Sequence, residues 1–167
     1  RHGIETMWDS STGLYAESLN REGKPSRRFS IHPQFLAALY GAASADRASA
    51  LLDRISRPHK GLEGLASAFA LQFHCEALDA AGRRGEILGL MRHFFAPMVR
   101  EGTTLWEPLP GSRTTPPGFP TRSHCHGWSA CPLDFLPLIT LGIRQIAPGG
   151  RRFIISPEPH GLRHAEG

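Results

Sequence analysis

A chain of 167 residues, 40% hydrophobic and 20% charged, has the material for one domain with a real core and is too apolar for a disordered segment. It has no apolar run long enough to span a bilayer, and its three cysteines, Cys75, Cys125 and Cys131, lack the even number and spacing of a disulfide scaffold. The net charge of +4 comes from dispersed pairs such as Arg27-Arg28, Arg83-Arg84 and Arg151-Arg152, not from a basic stripe with interleaved aromatics, so a nucleic-acid partner is not expected.

In chain order, Trp8 to Ser18 ("WDSSTGLYAES") reads as a turn built on Asp9, Ser10 and Gly13, followed by a short extended segment. Ser30 is placed to cap a helix that tolerates Pro33 in its early turn and continues as "FLAALYGAA". Ser44 or Asp46 caps a second helix, "RASALLDRI". A third, "LASAFALQFHCEALDAAG", is apolar around most of its circumference, as a helix buried among others is, and Gly82 supplies its stop. A fourth, "GEILGLMRHFFAPMVREG", is expected to kink or end at Pro97.

From Gly102 to Arg122 periodicity fades and prolines accumulate, which predicts a long functional loop. Helical pattern returns in "CPLDFLPLITLGI", with Pro132 acceptable in the first turn and Pro137 expected to bend it. Phe153-Ile154-Ile155 then reads as a β-strand with no partner in the sequence, the first strand of a further domain. Successive helical hairpins with a long loop at one end give an all-α expectation, an α/α toroid or part of one. The chain begins at Arg1 rather than Met and shows no signal-peptide pattern, so it reads as a piece of a longer polypeptide whose location is not assigned.

Two stretches could carry chemistry. In "EGTTLWEP", Glu107 follows Trp106 and precedes Pro108, a setting in which desolvation would raise a carboxylate toward the range useful for proton transfer; the alternative is a surface glutamate after a half-buried tryptophan. In "SHCHGWSACP" (Ser123 to Pro132), three readings compete. His124 and His126, two apart, would face the same way in an extended segment and, with Cys125 or Cys131, suit zinc. A convincing second ligand pair is missing, since His74 and Cys75 are adjacent within a helix. A cysteine–histidine nucleophile would need a thiol at a helix N-terminus, where only Cys131 falls. The third reading is a pocket wall, in which tryptophan offers a flat apolar face and histidine a donor and an acceptor, a pairing that suits a sugar.

The stretches "GTTLWE" (Gly102 to Glu107), "CHGWSACP" (Cys125 to Pro132) and "FLPLITLGIRQIAPGGRRFIISP" (Phe135 to Pro157) resemble the bacterial α-L-rhamnosidases of glycoside hydrolase family 78. So do "WDSSTGLYAESL", "SRRFSIHPQFLAALYG" and "LQFHCEALDAAGRR", and the resemblance runs in order along essentially the whole chain. The specific part is the Trp-Glu stretch followed, at this separation, by His-Gly-Trp-Ser.

The resemblance implies the C-terminal part of an (α/α)6 barrel over residues 1–148, and the start of a C-terminal β-sandwich over 149–167. It implies hydrolysis of terminal α-L-rhamnose with inversion, with Glu107 as general base, His126 at the rhamnose subsite, and Trp106 and Trp128 helping to wall the pocket. His124, off the family position, is expected to be structural or solvent-facing. No metal or other cofactor is expected; the cysteines are expected reduced, Cys75 inside a helix and the other two beside the pocket. The expected partners are a rhamnose-containing glycoside and the remainder of the parent chain, with neither nucleic acid nor membrane. One departure stands out: the family's general acid, a glutamate upstream in a segment ending Gly-Trp-x-Gly-Asp, has no counterpart, because the sole Gly-Trp pair is Gly127-Trp128. An inverting hydrolase needs two carboxyl groups, about 6.5–9.5 Å apart, so by itself this chain would hold half of the machinery and be inactive. Another glycosidase on the same toroid, or a sugar-binding or scaffold protein that kept only the helices, are the competing expectations.

Overall fold

The computed structural model describes residues 2–56, 61–102, 104–111 and 123–167. Helices dominate: α1 (His2–Glu5), α2 (Ile31–Leu39), α3 (Ala45–Ile55), α4 (Ala68–Ala80), α5 (Arg84–Glu101) and α6 (Pro132–Leu141). Six short strands join them: β1 (Trp8–Asp9), β2 (Leu14–Tyr15), β3 (Phe29–Ser30), β4 (Leu62–Glu63), β5 (Ile143–Ala147) and β6 (Arg152–Ile155). The described residues form two units, residues 1–66 with 70–81, and residues 67–69 with 82–167. The expected long loop falls mostly outside the described residues.

In the first unit, β1 and β2 pair antiparallel around a turn that the sequence foreshadows. Asp9 accepts hydrogen bonds from Ser11 N (2.9 Å) and Ser11 Oγ (2.6 Å), which hold its carboxyl below the usual range, and Gly13 takes φ +67°. Leu14, Tyr15, Ala37, Ala43 and Leu51 make a buried cluster, with Met7, Trp8 and Phe29 packed against it. A polar side chain ties this cluster together: fully buried Gln34 accepts from Tyr15 N (2.9 Å) and donates to Tyr15 O (2.8 Å) and Ser30 O (2.9 Å). Of the two candidate caps for α3, Ser44 does the capping, accepting from Arg47 N at 3.4 Å. Ser30 stands at the N-cap of α2 without a side-chain cap bond; it belongs to β3, which pairs parallel with β4. In α4, Cys75 is fully buried and Gly82 (φ +71°) follows the helix end, both as expected.

In the second unit the prolines do not break their helices. α5 runs through Pro97 and α6 through Pro137. Each proline removes one internal N–H, while the buried faces Ile87, Leu88, Met91, Phe95 and Met98 of α5, and Phe135, Leu138 and Ile139 of α6, supply packing enough to keep the helix going. One correction concerns the C-terminal strand. Phe153-Ile154-Ile155 has a partner: β6 pairs antiparallel with β5, in register Ile143↔Ile155, Arg144↔Ile154 and Gln145↔Phe153. Gly142, left-handed at φ +66°, stops α6 and starts β5 at once, so the "LGI" read as the end of a helix is its stop signal.

Candidate active site around Glu107 and His126

The second unit brings together the two stretches that the sequence singled out. His126 N donates to Leu105 O (3.0 Å), Glu107 N donates to Ser123 O (2.9 Å), and the Thr104 hydroxyl donates to His124 O. Gly127–Ser129 forms a single 3₁₀ turn, in which Ser129 N bonds back to His126 O (3.1 Å); the fully buried Ser129 hydroxyl donates to Trp106 O at 2.7 Å. The bridge between Ser67 and Pro108 ties down the residues just after Glu107. Residues separated by some twenty positions thus share one backbone framework.

The side chains on that framework are aromatic and stacked. The His126 and Trp128 rings lie 4.3 Å apart with 10° between planes, and Phe69 tilts against Trp128 at 5.5 Å. His124 stacks on Trp106 at 5.1 Å. Trp106 is only 9% exposed, its main-chain N–H donating to Met98 Sδ at 3.4 Å, whereas Trp128 is 46% exposed. Trp128 therefore has far more apolar surface to offer a ligand than Trp106. His124 is exposed; Glu107 and His126 are partly buried. Ring stacking occupies the faces of an imidazole and leaves its two nitrogens, which lie in the ring plane, open to donate and accept. Among the described residues no side-chain hydrogen bond or ion pair engages the Glu107 carboxylate.

The thiol reading of this stretch loses ground at Cys131. Among the described residues no group of three or more His, Cys, Asp or Glu is disposed to hold a metal ion. Cys131 does stand at the N-cap of α6, but burial and then the nearby Asp134 push its thiol up to about 12, far from the thiolate a nucleophile needs. No helix among the described residues is long and apolar enough to cross a membrane.

Sequence reasoning missed Ser129 as the link between the two stretches and Phe69 as the neighbour of Trp128. Nothing local marks either residue; Ser129 is one polar residue in a turn, and Phe69 one apolar residue on an apolar helix.

No family model matches the chain, and no curated protein does. Among solved structures, the GH78 family rhamnosidase of Bacillus sp. GL1 matches 93% of the chain with a TM-score of 0.84 and 33% sequence identity. A rhamnosidase from Klebsiella oxytoca, solved with rhamnose bound, matches 81% of it with a TM-score of 0.63 and 18% identity, a likeness of fold alone. The chain spans 17% and 26% of those two proteins. With one residue in three identical over nearly its whole length, and with the same fold, the chain is a segment related to the rhamnosidases of glycoside hydrolase family 78.

Proposed function

We propose that the parent protein is an inverting α-L-rhamnosidase and that this chain carries its general base and part of its sugar pocket. The observation that favours this most is the joining of the Trp106–Glu107 stretch to the turn bearing His126 and Trp128, which sets a carboxylate and a histidine stacked on a tryptophan on one framework. In this reading the Glu107 carboxylate takes a proton from a water as the water's oxygen attacks the anomeric carbon. The bond to the aglycone oxygen breaks on the opposite face, and that oxygen is protonated by an acid supplied outside these residues. His126 hydrogen-bonds a rhamnose hydroxyl through its ring edge, and Trp128, more than Trp106, presents the apolar wall.

The helices are then the C-terminal part of an (α/α)6 barrel. In this reading the expected boundary between residues 148 and 149 falls in the turn of the β5–β6 hairpin, and moving it to Gly142 keeps the hairpin whole as the opening of the β-sandwich domain. The test is hydrolysis of an aryl α-L-rhamnoside by the full-length protein, followed by proton NMR during the first turnovers. The β-anomer of L-rhamnose appearing first is expected. The α-anomer appearing first would overturn inversion, and cleavage of a different aryl glycoside in preference would overturn the sugar.

A further inference from the structure

We propose that Ser129 is a positioning residue for Glu107, holding the peptide from which the base projects; this rests on the reading of Glu107 given above. The argument turns on one peptide plane. Its two polar atoms are the Trp106 carbonyl and the Glu107 N–H. The carbonyl accepts from the Ser129 hydroxyl at 2.7 Å, and the N–H donates to Ser123 O at 2.9 Å. Both bonds come from the stretch that carries His126 and Trp128, so the unit that leads into Glu107 is gripped from both edges by the sugar-facing segment.

The two grips differ in kind. Ser123 contributes a main-chain carbonyl, which any residue there would supply, whereas Ser129 contributes a side chain. The Ser129 hydroxyl is fully buried, is short, and sits in a turn fixed by its own N–H to His126 O (3.1 Å), so little rotation is left to it. With that donor gone, the Trp106 carbonyl loses its partner and the peptide is free to tilt about the remaining bond. The Glu107 carboxylate, at the end of a flexible side chain, would swing by a distance that matters for in-line attack, while His126 and Trp128 would keep their stack.

The experiment compares S129C, S129A and E107Q with the parent in the full-length protein, reading kcat and KM on an aryl α-L-rhamnoside beside the thermal midpoint. Cysteine leaves no cavity but is somewhat larger than serine and a poor donor, whereas alanine is smaller and donates nothing, so a loss shared by S129C and S129A points to the hydrogen bond rather than to the packing. The expected result is a fall in kcat of about 10- to 100-fold for S129C and S129A, with KM within about twofold, in protein that melts near the parent. S129C with parental kcat would overturn the proposal, as would a rise in KM with kcat unchanged. If one variant fails to fold, the other is read by the same criterion; if neither folds, Ser129 serves the fold and the proposal falls. A crippled E107Q beside a normal S129C sinks only the Ser129 assignment, whereas an active E107Q sinks the reading of Glu107 beneath it.

Discussion

His126 lies flat on Trp128, ring centroids 4.3 Å apart and planes 10° from parallel, on a turn whose backbone is bonded to Leu105 and whose serine hydroxyl is bonded to Trp106. Stacking leaves the imidazole edge as its polar face, so the proposal predicts that His126→Ala removes a hydroxyl partner from the sugar. The expected loss in kcat/KM is roughly 5- to 150-fold, shared between KM and kcat. His124, exposed and stacked on Trp106, should tolerate alanine with a loss several-fold smaller. Steady-state kinetics on the paired variants checks this; equal losses at both positions would remove the distinction between them.

Gly142 should be the least replaceable glycine of the C-terminal hairpin. Its φ is +66°, and a Cβ there would lie 2.0 Å from Ser156 O and 2.1 Å from Ser156 C, both main-chain atoms. Gly149 has a similar φ of +71° but nothing within 4 Å of the same position. Gly149→Ala should therefore cost only the left-handed strain, about 1–2 kcal/mol, and Gly142→Ala about 1–3 kcal/mol more from overpacking. Urea titrations of the two variants side by side measure the difference, and equal stabilities would contradict the close approach of Ser156, just after β6, to the end of α6.

The three thiols should separate sharply in reactivity. Cys125 is exposed, whereas Cys75 and Cys131 are buried. Alkylation at pH 8 followed by peptide mass mapping should label Cys125 alone in the native protein, and all three only after unfolding. The Cys131 thiol, pushed up to about 12 by burial, keeps its proton in the folded state at pH values where an unfolded cysteine has lost it. Folding is thus favoured by this group below the ordinary thiol range, and that contribution drains away as pH rises toward about 12. Rapid labelling of Cys131 in native protein would contradict the packing at the start of α6.

The helices were legible because their signals are local. Apolar spacing marked α3 to α6, Ser44 marked a cap and Gly82 a stop. Of the two stretches of the candidate site, Ser123 to Pro132 was legible through residue types too dense in histidine, cysteine and tryptophan for a plain loop, and Glu107 through its place between Trp106 and Pro108. What escaped depends on distant partners. Gln34 is a polar residue between Pro33 and Phe35, and its burial makes sense only with the main chain of Tyr15, nineteen positions away. The strand Phe153-Ile154-Ile155 was visible, but its partner β5 was not, because its first residue, Ile143, was read as the end of a helix and Arg144 to Ala147 carry no strand signal of their own; Gly142, which stops α6, stands just before it. Pro97 was read as a kink or an end and Pro137 as a bend; of these, an end at Pro97 is ruled out, because α5 runs through it as α6 runs through Pro137.

The central claim is that Glu107 activates the attacking water, and Glu107→Gln tests it most directly. The amide keeps the size and the main-chain bond to Ser123 but cannot take a proton. In the full-length protein acting on an aryl α-L-rhamnoside, kcat should fall by about 10²–10⁴-fold with KM little changed, because only acid–base assistance is lost. A variant that folds like the parent and turns over at a near-normal rate would contradict the assignment of the base and, with it, the mechanism.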